Sequence, residues 1–151
     1  MVNVSHKQPK HRTARAVASV LFSSDAAYDA AFSSSRGSAK GPVFSVAELA
    51  GINAVKQTGF LVPLAHTLNV THVQFSFDLI PSERRVSITC SAECVERTGI
   101  EVEAMMGASV AAVTVFDMCK AVDKAMVITD IQVLSKTGGK TDYSAQQVSG
   151  K

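Results

Sequence analysis

Hydrophobic positions along the chain fall into runs of two different periods, and the order of those runs predicts the fold. Residues 13–23 (TARAVASVLFS) mix Ala, Val and Phe and read as a first strand. Ser24–Phe32 predicts a short helix, and residues 33–41 (SSSRGSAKG), rich in Ser and Gly, predict a flexible connection with Lys40 near its end. From Pro42 to Gly59, Val43, Val46, Ala47, Ala50, Ala54 and Val55 recur at helical spacing, with Gly59 as the expected C-cap. The segment FLVPLAHTL is apolar but irregular, with Pro63 and His66 inside it. Val70–Ile80 then alternates, Val73, Phe75, Phe77 and Leu79 against His72, Gln74, Ser76 and Asp78, as a half-buried strand does. A turn at residues 81–84 and a second alternating run, Arg85–Arg97, complete an antiparallel hairpin.

Residues 98–124 predict one long helix. Thr98 and Glu101 have the Thr-x-x-Glu spacing of a capping box, and Ala104, Val110, Ala111, Val113, Val115 and Phe116 supply apolar surface. Asp117 and Lys120, three apart, share one side. They admit two readings: a surface ion pair worth under about 1 kcal/mol, or an active-site face, because burying unused charge is costly. Met126–Leu134 reads as a last strand, residues 1–11 as an arm broken by Pro9, and residues 136–151 as a polar, glycine-rich tail. Strand, helix, strand, strand, helix, strand is the order of an α+β ferredoxin-like split βαβ sandwich, an antiparallel sheet with helices on one face, here as one domain over residues 1–151. The opposite face would need cover. Val86, Ile88, Cys90 and Ala92 read as fitting a sheet that also packs against another subunit, so an oligomer is expected.

Composition narrows the function classes. A formal charge of +2 argues against nucleic acid or an anionic membrane as partner, but leaves room for a local positive pocket for a phosphorylated small molecule. The nearly uncharged run Ala104–Phe116 is too short to span a bilayer and no signal-peptide core opens the chain, so a soluble, intracellular protein is expected. Three cysteines fit a reducing compartment, and Cys90 and Cys94, on one face of a strand, read as small buried hydrophobes ahead of metal or redox groups.

No nucleophile triad, Walker loop, dinucleotide fingerprint or metal-ligand motif is present. What remains is scattered: Lys40, His66, Glu101, Glu103, Asp117, Lys120, Lys136 and Lys140. Each alone has a bland explanation. Lys40 at a loop–helix junction is a solvated lysine or a phosphate ligand, His66 a satisfied structural histidine or a base, and Glu101 a capping partner. Gly138-Gly139-Lys140 lacks the spacing of a P-loop.

Taken together these residues sit in ordered motifs: KGPVFSVAELAGINAVKQTG with Lys40, PLAHTL with His66, TGIEVEAM, VFDMCKAVDK and SKTGGK. On them, from residue 1 to about Tyr143, the chain resembles the molybdenum cofactor biosynthesis protein C family. The resemblance implies a ferredoxin-like subunit, dimers assembled into a hexamer and an active site at the dimer interface. It implies a lyase reaction, that of a cyclic pyranopterin monophosphate synthase, which rearranges 3′,8-cyclo-7,8-dihydro-GTP into cyclic pyranopterin monophosphate with release of pyrophosphate. Carried over by motif, Lys40, His66, Glu101, Asp117 and Lys120 would be catalytic. Leu64, Ala65, His66, Val102 and Glu103 would line the substrate site, with Lys136 and Lys140 meeting phosphates. No metal ligand and no tightly bound cofactor is implied, although Mg²⁺ could accompany the triphosphate. The compartment would be cytoplasm, or an organelle matrix if the domain is eukaryotic.

The chain departs from the family pattern in places. Ala65 and Thr67 stand where the family usually has Cys and a second Pro, which argues against a thiol mechanism. Val102 replaces Met, MMGAS replaces a Leu-Thr-Ala-like run, and Asn3 replaces Asp. Residues usual ahead of the arm are absent, which suggests a trimmed N-terminus or a divided larger protein. Two other classes stay open on residue chemistry alone: a ligand-sensing module, which binds without forming product, and a structural oligomer, which leaves His66 and Lys40 exposed.

Overall fold

Twelve-residue central strands carry the architecture. The computed structural model describes residues 1–32 and 40–145; most of the connection over 33–41 and the end of the tail lie outside the described residues. The elements are β1 (Lys10–Leu21), α1 (Asp25–Phe32), α2 (Val43–Leu61), β2 (Val70–Ile80), a 3₁₀ turn (Pro81–Glu83), β3 (Arg85–Glu96), α3 (Glu101–Cys119), β4 (Val127–Thr137) and β5 (Tyr143–Ser144). The sheet order is β2-β3-β1-β4-β5, with every pairing antiparallel. Its first four strands have the ferredoxin-like arrangement: β1 and β3 are central, and each βαβ crossover skips one strand.

Alternation decides which face is covered. Ala14, Ala16, Ala18 and Val20 of β1 and Val86, Ile88, Cys90, Ala92 and Cys94 of β3 are all buried on one side, under the helices. Val86, Ile88, Cys90 and Ala92 therefore pack inside their own subunit and carry no information about a neighbour. The other face needs no apolar cover, because Arg15, Gln74, Ser76, Thr89 and Ser91 make it polar.

α3 lies over β1, β3 and β4, and α2 packs beside it and over β2. Small residues set the spacing: Ala104, Gly107, Ala108, Ala111 and Ala112 of α3 are buried, as are Ala47, Gly51 and Ala54 of α2. A Cβ on Gly107 would stand 2.6 Å from Val55 Cγ2 and 2.8 Å from Cys90 Sγ, so glycine is required for this approach. By length and composition α3 could cross a bilayer, contrary to the expectation for its uncharged run, yet half of it is buried as the core helix of this domain.

Several boundaries moved for identifiable reasons. α3 starts at Glu101 with no side-chain cap, so the Thr98–Glu101 capping box does not form; Ile100 is drawn fully into the core and the Glu101 carboxylate bonds Lys136 instead. α3 ends at Cys119 because the Asp123 carboxylate accepts from Ser23 N (2.7 Å) and Ala125 N (2.8 Å), turning the chain toward β4 and holding Asp123 below the usual carboxylate range against its burial. α2 runs through Gly59 to Leu61; Gly59 is no C-cap but the point where Thr67 approaches, its Cα 3.0 Å from where a Cβ would stand. Residues 10 and 11 belong to β1 and not to an arm, pairing with Glu96 and Val95 of β3; β4 runs on through Thr137, opposite Thr13, and β5 adds to it at Ser135 and Lys136. Lys136 is thus a strand residue, not part of a tail.

Aromatic rings form one chain through Phe22, Tyr28, Phe32, Phe44, Phe77 and Phe75. Phe32, closing α1, stacks on Phe44, opening α2, with centroids 5.5 Å apart. That contact pins both flanks of the segment that ends at Lys40.

Gly107→Ala is expected to lower stability by about 1–2 kcal/mol: overpacking against Val55 and Cys90 outweighs the roughly 1 kcal/mol helix-propensity gain of Ala over Gly. Urea unfolding with an unchanged m-value checks it.

Candidate active site

Three groups of side chains surround α3, and the fold places each for a local reason. At its C-terminal end, Asp117 Oδ1 meets Lys120 Nζ at 2.7 Å and Asp117 Oδ2 meets Lys40 Nζ at 2.6 Å. Lys40 also donates to the Asp117 carbonyl at 2.9 Å, so a residue between the two stacked rings is tied to the helix end. Hydrogen bonds from Lys120 first, then Lys40, pull the Asp117 carboxyl down to about 2, although all three side chains are roughly half exposed. Asp117 is a fixed anion at any neutral pH, and it holds two ammonium groups within reach of solvent.

At the N-terminal end of α3, a pocket of about 380 Å³ is lined by Leu64, Ala65, His66, Val102 and Glu103, with Val2 and Val4 folding over from the arm. Pro63 ends α2 and turns the following three residues toward this pocket. Glu103 is 3% exposed. Burial, with Glu101's charge adding to it, pushes the Glu103 carboxyl up to about 7.

Beside it lies a cleft of about 700 Å³ whose walls carry Lys7, Lys10, Arg12, Arg97, Lys136 and Lys140 against the single carboxylate Glu101. Both hollows are lined by Lys7, Thr98 and Gly99, so they adjoin across these residues. Lys136 Nζ donates to Glu101 Oε1 at 2.9 Å, and Glu101 Oε2 is buried without a partner. Arg12 gives its donors to the carbonyls of Glu96, Arg97 and Gly138, latching the turn that carries Lys140. Gly138 has φ +79°, and a Cβ there would run into the His11 carbonyl, so only glycine lets that turn close on β1.

The residues singled out in the sequence therefore divide. His66, Leu64, Ala65, Val102 and Glu103 share the pocket, and Glu101, Lys136 and Lys140 share the adjoining cleft. Lys40, Asp117 and Lys120 stand apart, sixteen residues farther along α3 and about 24 Å along its axis. One subunit does not bring the two ends together. Lys7, Lys10, Arg12 and Arg97 went unnoticed in the sequence; the signal was there in HKQPKHR, residues 6–12, whose basic side chains were read only as a polar arm.

The thiols are spectators. Burial raises Cys90 to about 12 and, as the main cause, Cys94 and Cys119 to about 11; all three are free. Among the described residues no cluster of three or more His, Cys, Asp or Glu could hold a metal ion. Chemically, the site combines a cationic trough suited to a polyanion with a drier pocket holding an imidazole and a carboxyl that titrates near neutrality.

The description "MoaC family" matches residues 1–139 of this chain. The cyclic pyranopterin monophosphate synthase of Pelobacter propionicus is 47% identical over 141 residues, covering 93% of this chain and 86% of that protein. The protein of the same name from Trichlorobacter lovleyi is 45% identical with the same coverage. The mitochondrial cyclic pyranopterin monophosphate synthase of Arabidopsis thaliana is 44% identical over 93% of this chain and 51% of that protein.

The cleft can be probed with pyrophosphate alone. Lys7→Ala combined with Lys140→Ala is expected to weaken calorimetric pyrophosphate binding by about tenfold or more, with a shallower salt dependence. Unchanged affinity would remove the anion-binding role of the cleft.

Proposed function

The chain belongs to the MoaC family, and we propose that it is a cyclic pyranopterin monophosphate synthase, converting 3′,8-cyclo-7,8-dihydro-GTP to cyclic pyranopterin monophosphate with release of pyrophosphate in molybdenum cofactor (molybdopterin) biosynthesis. The observation that carries this is near-complete alignment with proteins of that name at 44–47% identity. The compartment is then cytoplasm, or an organelle, as the name of the Arabidopsis protein specifies for that relative.

In this reading each part of the substrate has its own region of the site. The triphosphate lies in the cationic cleft, where Lys136, Lys140 and the arm lysines neutralise the departing pyrophosphate. Any Mg²⁺ travels on the phosphates, since the cleft walls are cationic. The heterocycle enters the pocket of Leu64, Ala65, His66, Val102 and Glu103. Closing a cyclic phosphate requires a sugar hydroxyl to attack the α-phosphorus, and His66 is the base or oxyanion partner for that step. Rebuilding the ring system needs further proton transfers, assigned to Lys120 and Lys40 around the fixed charge of Asp117.

Those lysines reach the pocket only from a second subunit. Val46, Leu49, Phe60, Leu64, Val102 and Val113 leave apolar side chains exposed on α2, α3 and the loop after α2. A two-fold axis across these helices reverses their direction, setting the Lys40–Asp117–Lys120 end of one subunit against the pocket of the other. Three such dimers would make the hexamer. A ligand-sensing module or a structural oligomer lacks support from a specific observation: Lys40 is engaged with Asp117 and His66 lines a pocket.

Incubation with the cyclo-nucleotide is expected to yield the cyclic phosphate and pyrophosphate by mass spectrometry, and Asp117→Ala or Lys120→Ala, correctly folded, is expected to lose at least about 100-fold in kcat. Binding without product would leave only a sensor. The composite site has its own check. Mixing inactive His66→Ala with inactive Lys120→Ala and allowing subunits to exchange is expected to restore up to about a quarter of wild-type activity, because each mixed dimer regains one intact site. No recovery despite exchange would place the whole site within one subunit.

A further inference from the structure

We propose that Glu103 is the acid of the Leu64–His66 pocket, protonated when the pocket is filled and handing its proton to a heteroatom of the substrate's ring system. The inference rests on the synthase reading and assigns to Glu103 a chemical role in place of a merely lining one.

Three carboxylates belong to the site, and two are neutralised. Asp117 lies between two ammonium groups, and Glu101 is paired with Lys136 at 2.9 Å. Glu103 is 3% exposed, and among the described residues it has no salt bridge. Glu103 is nonetheless one of the residues that line the pocket, while itself shielded from bulk water. The titratable and charged groups around it are Glu101 on its own helix and Cys94 on β3, with Lys7 of the arm and His66 of the α2–β2 connection lining the same pocket; Arg12 of β1 and Glu96 of β3 stand beside Cys94. Arg12 has its guanidinium turned to carbonyls, and Cys94 is a neutral thiol. Burial opposes ionisation and Glu101's charge adds to it, and together they outweigh the lowering hydrogen bond from Glu103's own backbone, so the carboxyl stands at about 7.

Substrate adds two effects of the same sign. Filling the pocket expels the remaining water, which disfavours the charged form. A polyanion in the contiguous cleft disfavours it again by repulsion. Glu103 thus enters the reaction as a neutral acid. As a ring carbon–heteroatom bond breaks, the bonding pair stays on the heteroatom and takes the Glu103 proton. The nitrogen that closes the new ring forms its bond to the carbon left electron-deficient by that cleavage and gives its proton to the resulting carboxylate, and the residue ends as it began. No oxidant or reductant is required.

Three measurements on the full-length protein decide it. In Glu103→Gln, kcat should fall at least about 100-fold while KM stays within about threefold. The wild-type kcat/KM profile should fall above about pH 7 as the free enzyme loses this proton, and that limb should vanish in the variant. Because the folded carboxyl titrates well above the unfolded one, wild-type stability drops as pH rises between the two values. The neutral amide should therefore melt higher than wild type at pH 8. Wild-type kcat in Glu103→Gln, a loss confined to KM, or a limb that persists would overturn the proposal. Should Glu103→Gln fail to fold, Glu103→Asp reads the same question: a limb at unchanged pH assigns the titration elsewhere and ends the idea. Wild-type protein that makes no cyclic product removes the synthase reading and this inference with it.

Discussion

A straight, tightly packed α3 is the constraint on which the rest depends. Its Ala/Gly stripe is pressed against β1, β3 and α2 closely enough that one added methyl at Gly107 has nowhere to go. Such a helix cannot bend its two ends toward each other. The cationic triad at Asp117 and the pocket at Glu103 are therefore held about 21 Å apart along the helix within one subunit. On the proposed reading, chemistry that uses both ends would have to recruit a second copy, and rigidity in the core would become a reason for assembly. The exposed Leu49, Phe60 and Val113 are the other half of that argument: they cost solubility in a lone subunit and cease to do so when two helical layers meet.

Strand alternation and helical spacing made the fold legible. Val73, Phe75, Phe77 and Leu79 fixed the face of β2, and the even spacing of Cys90 and Cys94 put both thiols under the helices. Boundaries were less legible because long-range partners set them. No local rule announces that Asp123 will stop α3 by bonding Ser23, a hundred residues away in sequence, or that Lys136 will take Glu101 out of its cap. The same reason hides the fifth strand and the cleft. A formal charge of +2 averages over the chain, whereas the fold gathers Lys7, Lys10, Arg97, Lys136 and Lys140 from three separate segments onto one wall. The motif resemblance brought in Lys136 and Lys140, but it passed over the arm.

The two carboxylates at opposite ends of α3 show how one scaffold sets opposite protonation states. Asp117 is half exposed and gripped by two ammonium groups, so its charge is secured and its proton is gone by about pH 2. Glu103 is shielded, has the charge of Glu101 nearby, and titrates at about 7. Environments that push two carboxyl groups apart in this way divide the labour of a reaction between a fixed charge and a mobile proton. Helix-dipole arguments alone predict something different. The N-terminus of α3 should favour ionised Glu103 and the C-terminus should disfavour ionised Asp117 by a few tenths to about 1 kcal/mol each. Both observed directions oppose that expectation, so desolvation at one end and direct ammonium contacts at the other outweigh the dipole. A site whose protonation pattern runs against its own helix is held there by side chains. In the dimer arrangement, docking the lysine-rich end of one subunit beside Glu103 of the other would lower that carboxyl, while the bound polyanion would raise it. In that proposed arrangement the balance between the two would set when the proton moves.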